Sequence, residues 1–112
     1  MSSTEFVIAL TTLPSDGDAA VFARTLVEER LAACVSFQSG VESVYSWAGH
    51  LERNQERQVI IKTTTSRVEA LWARVRELHP YDVPEFLVLP VTDGNAAYLQ
   101  WIRDSTLPSP SG

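Results

Sequence analysis

From Cys34 to Trp47 the chain alternates. Val35, Phe37, Val41, Tyr45 and Trp47 are apolar, and Ser36, Gln38, Glu42 and Ser46 between them are polar. A period of two is a strand with two unlike faces. A strand over 34–47 is about 46 Å long at roughly 3.3 Å per residue. Ala48-Gly49-His50 reads as its turn, and the return arm runs from Leu51 to Thr65, most strand-like at Val59-Ile60-Ile61-Lys62-Thr63. A compact domain of this length has a radius of gyration of roughly 13 Å, hence a diameter of roughly 34 Å. The hairpin therefore overhangs its own core unless it bends at Gly40, where a bulge is expected. Tyr45 and Trp47 share one face near its tip. An overhanging strand with exposed aromatics aggregates unless another chain covers it, which predicts strand addition by a neighbouring subunit in a closed ring. A hairpin folded back on its own sheet is the alternative.

The other elements follow from periodicity and breakers. Phe6-Val7-Ile8-Ala9-Leu10 is a continuous β-rich run suited to a central strand. Pro14 to Asp18 breaks it, and Ala20, Ala23, Val27 and Leu31 then recur at helical spacing, with Arg24 and Glu28 placed to pair. Ser66-Arg67-Val68-Glu69 has the form of a capping box. Val68, Leu71, Trp72, Val75 and Leu78 form the stripe of a second helix, ended by His79-Pro80. Phe86-Leu87-Val88-Leu89 is a fourth strand closed by Pro90, and Asp93-Gly94-Asn95 turns into a short last helix with Tyr98, Leu99 and Ile102. The order β-α-β-β-α-β, with a C-terminal helix, predicts an α+β ferredoxin-like antiparallel sheet carrying two helices on one face. One domain is expected over 5–105, with 1–4 and 107–112 as loose ends.

Composition narrows the function classes. The chain has 112 residues, 14 acidic against 9 basic side chains and a net charge of −5, and its basic residues are dispersed. Such a surface repels nucleic acid. The third strand also lacks the aromatic pattern of the RNA-binding version of this fold. Cys34 is the one cysteine, so no internal disulfide points to an oxidising compartment. The first residues carry no positive charge, and the apolar run Phe6–Leu10 is too short for a signal peptide or a membrane span. A soluble cytoplasmic protein, with no nucleic acid or membrane partner, is the expectation. No glycine-rich phosphate loop and no nucleophile elbow is present.

Few residues carry chemistry. Cys34 lacks a local cation to make it a thiolate and reads as a small buried apolar residue. Lys62, the only lysine, stands in the most apolar strand. Either a carboxylate such as Glu56 or Glu85 compensates it, or its stem lies on the sheet with the ammonium in water. His79 ends a helix, where it can donate to the last carbonyls. In His79-Pro80-Tyr81-Asp82-Val83-Pro84-Glu85 two prolines stiffen a loop that presents His, Tyr, Asp and Glu just before a strand. An enzyme would need an acid/base pair, and Glu85 with His79 or Tyr81 is the only team available.

Four stretches resemble the CutA divalent-cation-tolerance family: Leu31-Ala32-Ala33-Cys34-Val35, Tyr45-Ser46-Trp47-Ala48-Gly49 with Glu56 following, Ile61-Lys62-Thr63, and the His79–Glu85 loop. Tyr98-Leu99-Gln100-Trp101 is similar to the family's C-terminal helix. The resemblance implies a homotrimer built through long hairpins, similar in architecture to PII-type signalling trimers that bind small effectors between subunits. It implies a non-enzymatic role in tolerance of divalent cations, copper in particular. Trp47, Glu56, Lys62, His79, Tyr81 and Glu85 are its candidate residues for a small ion or small-molecule ligand. Some members hold copper through a cysteine and two adjacent histidines. Those positions fall here on Thr11 and Leu78-His79, which leaves His79 as the metal candidate.

Overall fold

The computed structural model describes residues 4–108; the expected looseness of 1–3 and 109–112 lies outside them. The alternating run is strand β2, Cys34–Trp47, and its return arm is β3, His50–Thr64. Between them Ala48 and Gly49 have φ of 52° and 81°, and Trp47 pairs with His50. Two consecutive positive φ values make the mirror-image turn whose twist suits a hairpin. Gly40, at φ 78°, sits inside the register shift between Gln38 and Val41. The bulge falls where the break in alternation placed it.

β1, Phe6–Pro14, pairs antiparallel with β3 only from Glu56 to Thr64. The hairpin beyond Glu56 therefore has no other strand beside it, and the molecule extends 45 × 32 × 22 Å with a radius of gyration of 15.0 Å. β4, Leu87–Pro90, pairs with the other side of β1, giving the order β2-β3-β1-β4, antiparallel throughout. This is the expected ferredoxin-like sheet.

α1, Ala19–Glu28, and α2, Val68–Leu78, cover one face of the sheet. Ala9, Leu13, Val59 and Ile61 point to them and pack with Phe22, Leu26, Leu71 and Val75. Two local expectations are corrected. The buried stripe of α1 is Ala19, Phe22 and Leu26, one position before the expected Ala20, Ala23 and Val27. The bulky Phe22 and Leu26 take the core, and Val27 is left exposed. The Ser66–Glu69 capping box does not form, because a 3₁₀ turn over Thr65–Arg67 precedes α2 and Ser66 Oγ meets Thr64 Oγ1 at 3.2 Å. Asp18 caps α1 by accepting from the Val21 amide at 3.1 Å, and Arg24 pairs with Glu28 at 3.6 Å.

The opposite face carries Ile8, Leu10, Thr12, Glu56, Ile60 and Lys62, since side chains alternate along paired strands. α3, Ala96–Ser105, covers only the Phe6 end of it, where Ile102 packs on Phe6 and Ala33. The Arg30 guanidinium donates to the carbonyls of Asp104, at 2.6 Å, and Leu107, which satisfies the open end of that helix. The remainder of this face is half-covered, and β4 leaves Leu87 and Leu89 exposed.

Candidate functional site

His79 follows α2 in extended conformation, φ −84° and ψ 135°, as the residue before a proline must. That turn brings its ring under the start of the loop. His79 is 7% exposed, and Nε2 lies 2.6 Å from the Thr12 carbonyl, while Nδ1 accepts from the Tyr81 amide at 3.1 Å. An acceptor at Nδ1 places the proton on Nε2, which donates to Thr12. The imidazole thus fastens the loop to β1, and the Tyr81 ring leans on it with centroids 4.9 Å apart.

The fastened loop is one wall of a groove of about 1000 Å³, and the hairpin is the other. Period-two alternation and the turn register put Ser43, Tyr45, Trp47, Glu52, Asn54 and Glu56 on one face of the hairpin. The loop contributes Pro80 to Glu85. Glu56 lies deepest, 7% exposed, with no hydrogen bond or ion pair among the described residues. No side-chain oxygen in the described residues is both fully enclosed and unpartnered, so the Glu56 carboxylate must open onto the groove. Tyr45 is held in place by the Asn54 amide, which donates to its hydroxyl. Burial pushes the Tyr81 phenol above its ordinary 10.0, and Glu56, Tyr45 and Asp16 push it the same way. The hairpin's other face is electrostatically balanced, with Arg53 paired to Glu42 at 2.8 Å.

Four of the six candidate residues meet in this groove: Trp47, Glu56, Tyr81 and Glu85. His79 stands behind it as the fastener. Lys62 is elsewhere, near the α3 end of the sheet, where its Nζ lies 3.3 Å from the Tyr98 hydroxyl and 5.6 Å from that ring's centroid. Neither Glu56 nor Glu85 pairs with it. Cys34, opposite Lys62 in the ladder, is half-buried and meets Ser36 Oγ at 3.8 Å. Tyr45, Glu52 and Asn54 were not singled out from sequence as site residues. The alternation did carry Tyr45 to the face of Trp47, but Glu52 and Asn54 depend on the turn register.

The donors do not fit a metal ion within one chain. No group of three His, Cys, Asp or Glu among the described residues is clustered tightly enough to hold one. Thr11 is fully buried in the sheet, and both His79 nitrogens already have partners. No helix among the described residues is long and apolar enough to cross a membrane.

An open-faced ferredoxin-like sheet with an overhanging hairpin and a non-catalytic groove defines a class of small α+β binding domains. Within that class, the family model for the CutA1 divalent ion tolerance protein matches residues 7–105, and the chain belongs to that family. The divalent-cation tolerance protein CutA of Thermus thermophilus is 46% identical over 99 residues, covering 88% of this chain and 96% of that protein. Its crystal structure superposes with a TM-score of 0.87, covering 90% of this chain and 98% of the other. CutA1 of the psychrotrophic Shewanella sp. SIB1 is 40% identical with a TM-score of 0.88, covering 98% and 100%.

Proposed function

We propose that the chain serves divalent-cation tolerance as a cytoplasmic, non-enzymatic homotrimer whose groove between hairpin and loop binds a small ligand. The observation that carries this reading is Glu56, a carboxylate buried to 7% exposure at the floor of an aromatic-walled groove without a partner of its own. Leaving a buried charge unpaired costs several kcal/mol, so such a group is kept for something that binds it. Assembly is supported by the two sheet edges. β2 overhangs, and β4 exposes Leu87, Val88 and Leu89, so strand addition between unlike edges buries apolar surface and closes a ring. A neighbouring copy is what brings Lys62 to the cleft.

The ligand on this reading is a small effector, and metal tolerance is indirect. This is favoured over copper on His79 because a metal there must displace the Thr12 or Tyr81 hydrogen bond. The same commitment removes His79 as a free acid or base for catalysis. Native mass spectra with and without stoichiometric copper test the proposal. Three chains of 12.4 kDa give about 37 kDa. The expected result is a trimer that takes up no copper in fixed ratio. A monomer refutes the assembly, and stoichiometric copper lost in His79→Ala establishes the metal reading instead.

A further inference from the structure

We propose that the ligand of this groove is an organic ammonium ion, seated with its charge on the Glu56 carboxylate and its alkyl portion against Tyr45, Trp47 and Tyr81. The inference rests on the groove reading above and names its ligand class. Three observations carry it. The lining contains Glu52, Glu56, Asp82 and Glu85 but no Lys, Arg or His, so the groove attracts cations and nothing within it neutralises them. Glu56 is more than nine-tenths buried, unpartnered among the described residues, and open to the groove. Three aromatic rings line the same space, and a cation over an aromatic face gains most when partly withdrawn from water.

The spacing of the acids selects among cations. Glu52 and Glu56 lie four residues apart on one strand face, about 13 Å at roughly 3.3 Å per residue. No three ligating groups among the described residues converge. A small hard metal ion needs several oxygens at contact distance, and this groove offers one deep carboxylate with others spread around it. An organic ammonium needs only one close counter-charge and apolar walls for its carbon.

The intact protein is titrated with tetramethylammonium chloride and, separately, with 1,4-diaminobutane, against sodium chloride at matched ionic strength. Amide chemical shifts over 43–56 and 80–85 are the readout, and native mass is recorded in parallel. Saturable shifts confined to those segments are expected, weakened about tenfold in Glu56→Gln, as loss of a charged hydrogen-bond partner implies. Trp47→Ala, at an exposed hairpin position, should weaken binding roughly threefold while leaving the fold intact. Equal shifts with sodium, or saturation unchanged in both variants, overturn the proposal. Saturation with calcium or copper but not with either amine overturns the ligand class and leaves the groove reading standing. Every lining residue comes from one chain, so a monomer that binds the amines overturns the trimer alone.

Discussion

Replacing His79 with Phe keeps a ring of similar size against Tyr81 and deletes both hydrogen bonds, Nε2–H to the Thr12 carbonyl at 2.6 Å and the Tyr81 amide to Nδ1 at 3.1 Å. Each bond is worth about 1 kcal/mol net. Leaving the Thr12 carbonyl beneath a phenyl ring adds a further desolvation cost of about 1 kcal/mol, the low end of the range because Thr12 is only partly buried. The loss should total about 3 kcal/mol. Urea unfolding at one fixed chain concentration measures it, with the midpoint moving and the slope unchanged. Amide exchange supplies a second reading: residues 80–85 should open faster than α2, because the loop loses its fastening while the core keeps Leu71 and Val75. A loss under about 0.5 kcal/mol, or a loop that exchanges as slowly as before, would refute the fastening role and leave His79 free for another one.

Three further outcomes can be checked directly. The Tyr81 phenol is raised by burial first and then by Glu56; a raised acid stabilises the fold below its unfolded value near 10.0 and loses that contribution as pH climbs through the folded value. Alkaline unfolding curves should therefore fall more steeply for the parent than for Tyr81→Phe, and superimposable curves contradict this. Glu5 is lowered chiefly by the hydrogen bonds from Arg103, so its contribution is complete above 4.5 and disappears as pH drops through the folded value. Acid titration of Glu5→Gln should lack that part of the slope, and an unaltered acid limb excludes it. Ala48 holds φ 52° in the two-residue turn. Ala48→Asn, which tolerates that conformation, should stabilise the hairpin by about 0.5–1 kcal/mol in thermal unfolding, and an unchanged or lower Tm rules this out.

What the sequence determined by itself is local and periodic. Alternation from Cys34 to Trp47 forces a two-faced strand. Gly40 breaks it where the ladder shifts register, and the length of the run forces an overhang. His79-Pro80 ends α2 because the residue before proline leaves the helical region. These are properties of neighbouring residues. Packing decided what neighbours could not. Which stripe of α1 turned inward depended on the sheet wanting Phe22 and Leu26, and a 3₁₀ turn set by the end of β3 pre-empted the Ser66 cap. The groove is the fullest case. It joins a hairpin face to a loop some thirty residues further along, and whether Glu56 lies buried between them depends on the register of the Ala48-Gly49 turn and on His79 tying that loop to Thr12. No pattern of adjacent residues encodes that juxtaposition, because burial of a carboxylate is a property of the surfaces that close over it.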